Sequence, residues 1–553
     1  GDSSRMLLEI VHATGPSGRM GLDVTSAGLT LGDRPSGVDL ADLGKAEVSV
    51  PITAPDAAGV QQIRIALTTP DGKLLEKTVS IPIERNDPAV ARQSRFDLAA
   101  GKSFTFDANV FAGYLPGSAR ATLAAGPLAQ FDTPALLDAL DRYPYGCTEQ
   151  ITSKALPLLY LSSVAEAMGL ASPKDIGDRI DVAVQKVLTN QDASGAFGLW
   201  QPSSGDGWLD AYVTDFLSRA RKAGYAVPDA AFRNALDNLR NQVNYAPDFD
   251  RKSNGGGRAL AYQLMVLARE GAAAVGDLRY YADVKGDDCE TPLAAAQLGA
   301  ALASYGDQTR ADAMFARAAR MVSALGKETA SWRDDYGTDL RDSAAVLALA
   351  SESGSQAVNM QTAGSSLISR LAQTRLSTQE ATWTLLAAHA LIDRPGTEGL
   401  TIDGAPATGP LVRMIDAETA GQSIEIGNAS GKSETLTLTT LGVPEVPEPA
   451  GGKGWSIKRS YYTLEGEKAD SSHVKQGERL VAVLEIAPQG MQEARLMVDD
   501  PLPAGFEIDN PNLIRGGDIA ALDWLDVVED PAMAQFRQDR FLAAVDWQSD
   551  KSF

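Results

Sequence analysis

The hydrophobic pattern changes period twice along the chain, and any fold must accommodate both changes. Up to about residue 125, short apolar–polar alternations dominate. Residues 46–52, 61–67 and 77–83 each repeat with a period of two, as half-buried strands do. Pro70-Asp71-Gly72-Lys73 reads as a turn between the last two, because Pro presets φ and Gly accepts a positive one. From about 126 to about 395 the chain is rich in Ala and Leu at helical spacing, as in residues 180–188, 208–220, 259–270 and 292–305. Gly169, Gly224 and Gly286 act as breakers. Roughly a dozen helices recur as hairpins about 40 residues apart, the pattern expected of paired helices closing into an α/α solenoid or toroid. After Pro395-Gly396 the alternation returns at 422–426 and 434–439. It continues past a Pro-rich linker at 443–452 into 479–486 and 493–498. The expected fold class is therefore multidomain α+β, with a helical block inserted in a β domain.

Composition narrows the function classes. A chain of 553 residues is long enough for three or four domains at about 150 residues each. Its 44% hydrophobic and 22% charged residues exclude a wholly disordered protein. No run of about 18 consecutive apolar residues occurs, so no segment is expected to cross a bilayer as a helix. Fifty basic against 72 acidic residues leave a net charge of −22, which disfavours nucleic acid and anionic lipid as partners. Two cysteines (Cys147, Cys289) and three histidines (His12, His389, His473) show no metal-ligand spacing, so no metal or cofactor is expected. The opening Gly1-Asp2-Ser3-Ser4 carries no leader pattern and reads as a fragment or processed product.

The informative segment is Tyr143-Pro144-Tyr145-Gly146-Cys147-Thr148-Glu149-Gln150, just ahead of a helical stretch. Residues i and i+3 of a helical turn face each other, so the Cys147 thiol can reach the Gln150 amide. A helix N-terminus favours a thiolate. Attack on that amide with loss of ammonia would leave an internal thioester, a bond that survives only where water is excluded. A cysteine at a helix start is also commonly a small buried apolar group. C-x-x-Q alone leaves both readings open.

The wider sequence adds to this. Gly146-Cys147-x-Glu149-Gln150 resembles the thioester region of the α2-macroglobulin and complement family, and Pro157 stands where macroglobulins carry Pro. Residues 192–200 and 207–213 resemble that family's G-x-F and W-L-T-A-F-V segments. Ser377-Thr378-Gln379-Glu380-Ala381-Thr382-Trp383 resembles its S-T-Q-E-x-x-W, and Leu502-Pro503-Ala504-Gly505-Phe506-Glu507 resembles the L-P-A-G-F-E of bacterial members. The matches are collinear over roughly residues 85–550.

The resemblance implies an α/α toroid, the thioester domain, at 126–395. It would be inserted in a CUB-type β domain with halves at 85–125 and 396–445. Macroglobulin-like sandwiches would flank the pair at 1–84 and 446–553, the second ending in what reads as an unfinished strand. It also implies the C-terminal portion of a larger protein whose bait region is cut by a protease. A lysine of that protease would then be joined to Gln150 and the Cys147 thiol released, with Gly146 and Glu149 supporting the bond. By the same resemblance the chain would be a single-use covalent protease inhibitor rather than an enzyme.

Complement relatives place a His just ahead of the helix matched here to residues 258–268. Residues 244–257 contain none, so direct aminolysis by lysine is expected, and His389 is expected to be a packing residue. Candidate shields of the thioester are Tyr145, Trp200, Trp208 and Tyr212, with Tyr461 or Tyr462 from the last sandwich; each also reads as plain packing. Bacterial relatives imply a monomer in the periplasm, anchored to a membrane, if at all, through a region N-terminal to this chain. Two alternatives stay open. One is a non-covalent scaffold or adhesion protein with a free thiol. The other is a toroidal enzyme using acids such as Asp206, Asp210 and Asp215, for which Asp287-Asp288 offers little support.

Overall fold

The computed structural model describes residues 1–553 apart from 84, 86, 127–130, 144, 168–172, 326–332, 372–375, 391–396, 409, 410, 420, 453, 472, 476, 491, 492, 504 and 510–530. Pro144, Gly169, Pro395, Gly396 and Ala504 therefore lie outside the described residues. The chain divides into two compact units, Ala89–Glu445 and the pair Gly1–Pro88 with Val446–Phe553.

In the first part of the second unit the alternating segments are strands Lys45–Thr53, Gly59–Thr68 and Leu74–Ile83. The turn before Leu74 has Gly72 at φ 85° and closes with Thr69 N–H donating to Lys73 O at 2.9 Å. Sheets of three and four strands enclose Leu22, Val24, Val50 and Ile63. The C-terminal part pairs Trp455–Thr463 with Leu480–Pro488, and Arg540–Gln548 with Glu493–Pro501 and Met533–Phe536. Phe553 exchanges two 2.9 Å backbone hydrogen bonds with Ile486.

The unit Ala89–Glu445 carries the candidate site. Strands Val90–Leu98, Ser103–Phe106 and Arg120–Ala125 precede the helices, and Leu400–Ile402, Val412–Ile415, Ile424–Asn428 and Glu434–Gly442 follow them. The two sets interleave in the same two four-stranded sheets; Arg120–Ala125 lies between Val412–Ile415 and Glu434–Gly442. Leu98, Phe106, Leu123, Ile415, Ile426 and Leu436 fill the space between the sheets. The helical block is thus an insertion whose ends are fixed by one sandwich.

Among the described residues there are thirteen α-helices, and six of them form an inner ring. These are Thr148–Ala155, Gly207–Lys222, Arg258–Arg269, Pro292–Ser304, Asp339–Glu352 and Thr378–His389; each packs on the next, and the last packs back on the first. Composition separates inner from outer. Pro292–Ser304 is buried without interruption from Pro292 to Leu302, as its Ala and Leu content allows. The outer helix Asp229–Asn244 buries only the stripe Phe232, Ala235, Asn238 and Leu239.

Leu123 is fully buried between the sheets and sits opposite Leu438 and Arg413. Leu123→Ala is expected to lower the denaturant midpoint of this unit by the equivalent of about 3 kcal/mol, because both transfer energy and a cavity are involved. An unchanged midpoint would show that the sandwich does not brace the ring.

Candidate functional site

The first inner helix, Thr148–Ala155, begins at Cys147, which occupies the N-cap in an extended conformation (φ −70°, ψ 165°) and is 4% exposed. The first backbone N–H groups of a helix lack partners within it. Here they are met by a capping box, with Cys147 in the place of the usual Ser or Thr and Gln150 at N3. Gln150 Oε1 accepts the Cys147 backbone N–H at 3.1 Å. The box folds the Gln150 side chain back over the N-cap while the Cys147 side chain points forward to N3. A thiol and a carboxamide are thereby turned towards each other.

Tyr143 completes this face, although sequence reasoning did not single it out. Gln150 Nε2 donates to the Tyr143 hydroxyl at 3.4 Å, and the Tyr143 ring stands edge-on to Tyr145 at 5.2 Å. Lys154, one turn beyond Gln150, donates to the Tyr143 carbonyl. Its ammonium is held below the usual lysine range by burial.

Thr148 ties the helix start to the loop 190–200. Its N–H donates to Leu199 O at 2.8 Å, its hydroxyl donates to Gly198 O at 2.6 Å, and Asn190 Nδ2 donates to that hydroxyl at 2.8 Å. The loop needs its glycines. Gly195 has φ +92°, and a Cβ there would lie 2.1 Å from Asn234 O; a Cβ on Gly198 would lie 1.8 Å from Gln201 O.

Glu149 points the other way, into the ring, at 4% exposure. Its carboxylate accepts from Ser153 Oγ at 2.6 Å, Gln379 Nε2 at 2.7 Å and Thr378 Oγ1 at 3.0 Å. Ser153 Oγ lies 2.8 Å from the Tyr212 hydroxyl, and Thr382 Oγ1 donates to Ser153 O at 2.9 Å. The first inner helix is thus bonded to the second and to the last. A second capping box, Ser377 with Glu380, sets the last helix: Glu380 N donates to Ser377 Oγ and Ser377 N donates to Glu380 Oε2 at 2.8 Å. That start leaves Thr378 and Gln379 to reach Glu149.

The remaining sequence candidates fall in different places. Tyr212 is fully buried and in the Glu149 network; burial and the charge of Glu149 push its hydroxyl well above the usual range. Trp208 stacks on Tyr212 at 5.1 Å, with Arg341 over its ring. Trp200 is partly buried beside Leu199, and Gly146 is exposed. Tyr461 and Tyr462 lie on the strand Trp455–Thr463 of the other unit. His389 packs against Tyr160 at 5.1 Å. Asp206 caps its helix by accepting from Leu209 N, Asp215 pairs with Arg219 and Arg269, and Asp210 accepts from Phe197 N, Asn238 and Gln242. These three carboxylates are therefore engaged in structure. Among the described residues no cluster of His, Cys, Asp or Glu suited to a metal ion occurs.

Residues 123–253 match the family described as A-macroglobulin TED domain, and 454–553 match that described as Bacterial Alpha-2-macroglobulin MG10 domain. The chain is 27% identical to Alpha-2-macroglobulin of Escherichia coli strain K12 over 99% of its own length and 34% of that protein. It is 26% identical to Alpha-2-macroglobulin of Xylella fastidiosa strain Temecula1, over 98% of itself and 35% of that protein. It thus spans about a third of the length of the curated relatives it matches. The crystal structure of native alpha-2-macroglobulin from E. coli, spanning domain MG7 to the C-terminus, superposes with a TM-score of 0.81 at 25% identity, covering 100% of this chain and 90% of that one. Salmonella alpha-2-macroglobulin reacted with methylamine gives 0.81 at 27%, covering 100% and 37%. The chain is similar to the C-terminal portion of bacterial alpha-2-macroglobulins, in sequence and in fold.

Glu149→Ala strands three buried donors and is expected to destabilise this unit by on the order of 3 kcal/mol. It should also speed iodoacetamide labelling of Cys147 under native conditions; unaltered stability and labelling would remove Glu149 from this role. A second expectation concerns pH. Burial raises Asp210 from its ordinary 3.8 to about 6. The folded chain then holds a proton that the unfolded chain has lost between those values, so this group's contribution falls as pH rises through the window, by on the order of 3 kcal/mol at most. Denaturant midpoints of Asp210→Asn measured from pH 4 to 6.5 should lack that decline; a slope equal to the parent's would contradict the assignment.

Proposed function

We propose that Cys147 Sγ and Gln150 Cδ are joined as an internal thioester, and that the chain is the reactive part of a single-use covalent protease trap rather than an enzyme. The observation that carries this reading is the buried capping box in which a thiol replaces the usual hydroxyl opposite a glutamine at N3. Formation needs no other reactant. The Cys147 sulfur attacks Gln150 Cδ, the Cδ–Nε2 bond breaks, and the thiol proton leaves with the nitrogen as ammonia. Capture exchanges the roles of sulfur and nitrogen at the same acyl carbon. A lysine amine of the target attacks Cδ, the Cδ–Sγ bond breaks, and Cys147 departs as a thiol with the proton the amine gives up. The new amide is stable and the thioester is spent.

Burial decides when this happens. Gln150 is half-buried, Tyr143 meets its amide and the loop 190–200 packs against the helix start, a cover that would limit water at the acyl carbon until it moves. Stretch 244–257 contains no His and His389 is committed to Tyr160, which supports direct aminolysis over an acyl-imidazole route. The Salmonella relative described as reacted with methylamine supports the same chemistry. The chain spans about a third of its relatives' length, and in a protein of that length the trigger would be cleavage elsewhere in the chain, with the periplasm as its compartment in this reading. The sandwich that holds the helical insertion would be the CUB-type domain.

At saturating concentration methylamine is expected to add to Gln150 and, in equal amount, to release a Cys147 thiol that iodoacetamide then labels. Cys147→Ser and Gln150→Ala should take up none. Uptake by Cys147→Ser at the parent level would show that no thioester is involved.

A further inference from the structure

We propose that Lys154 is the internal nucleophile of the thioester, and that a chain opened without an outside amine closes a Gln150–Lys154 lactam along its own helix. The inference rests on the thioester reading above. Residues i and i+4 of a helix are neighbours, with Cβ atoms about 5–6 Å apart, and their side chains lean towards the helix N-terminus. Lys154 therefore reaches back over Gln150. Both side chains meet the same residue: Gln150 Nε2 donates to the Tyr143 hydroxyl at 3.4 Å, while Lys154 Nζ donates to the Tyr143 carbonyl and lies 6.0 Å from its ring centre.

The surroundings also shift the amine towards its neutral, nucleophilic form. Burial lowers its affinity for a proton; Asp141 opposes that, while Lys186 and Arg179 reinforce it. A tethered amine one turn from the acyl carbon has an effective concentration that a soluble amine must exceed to compete. The step balances without a further reactant. Nζ attacks Gln150 Cδ, the Cδ–Sγ bond breaks, and the sulfur leaves with the proton that nitrogen loses, giving a side-chain amide and the Cys147 thiol.

The Tyr143 carbonyl restrains Lys154 in the resting structure. A displacement of Tyr143 that uncovers the thioester also frees the amine. Exposure thus starts a competition between target and Lys154, and a trap that meets no target extinguishes itself without hydrolysis.

Lactam and thioester have the same mass, each one ammonia below the sequence, but only the lactam leaves a reactive thiol. The chain is warmed in amine-free buffer, alkylated with iodoacetamide, weighed intact and peptide-mapped. The expected product carries an alkylated Cys147, still lacks one ammonia, and maps with Gln150 joined to Lys154. In Lys154→Arg that product should be lost, each released thiol being accompanied by one added water. Wild-type thiol release matched entirely by water, or a link to another lysine, overturns the proposal even if the variant fails to fold. A starting chain with no ammonia deficit overturns this inference together with the thioester reading, whereas a deficit followed by hydrolysis alone overturns only the lactam.

Discussion

The buried carboxylate of Glu149 is the tie on which this architecture turns. A desolvated carboxylate is costly unless its lone pairs are occupied, and here they are met by Ser153, Thr378 and Gln379. Two of these donors come from the last inner helix, so the charge is satisfied only when the ring is closed. Tyr212 adds the second inner helix through Ser153. Closure of the ring and placement of the first inner helix are thus one event.

That helix, only eight residues long, presents three faces with separate duties. Glu149 and Ser153, four apart, face the ring interior. Thr148 and Thr152, also four apart, are fully buried; Thr148 holds the loop 190–200. Cys147, Gln150 and Lys154, at i, i+3 and i+7, form the stripe beside Tyr143 for which the thioester chemistry is proposed. The helical period places each residue on its face, and the two buried faces fix the orientation of the third. A helix this short would not persist alone in water, so its geometry depends on its surroundings.

Much of this was legible in the letters. The change of hydrophobic period marked strands and helices, the turn at Pro70 to Lys73 formed as its residues require, and C-x-x-Q gave the facing pair at a helix start. The Ser377–Glu380 spacing was visible as part of a resemblance, but not what Thr378 and Gln379 do there. They meet Glu149 across 229 and 230 residues of chain. Only the closed ring creates that encounter, and no local pattern encodes it. The aromatic residues were harder for a related reason. Hydrophobicity alone does not separate a ring that covers a site from one that fills a core: Trp208 and Tyr212 stack inside the ring, while Tyr143, in the same segment as Tyr145, is the one that meets Gln150. The acidic residues considered for an enzyme were likewise visible by type but not by employment, and each is taken up by a cap, an ion pair or backbone and amide donors.

The chemistry of this site depends on whether the sulfur and the acyl carbon of one capping box are bonded before any trigger. The intact mass of the chain, purified without amines or reductants, tests that most directly. The bonded state predicts a mass one ammonia below that of the sequence, with Cys147 inert to alkylation. The full sequence mass, with Cys147 alkylated at once in the folded chain, would contradict it.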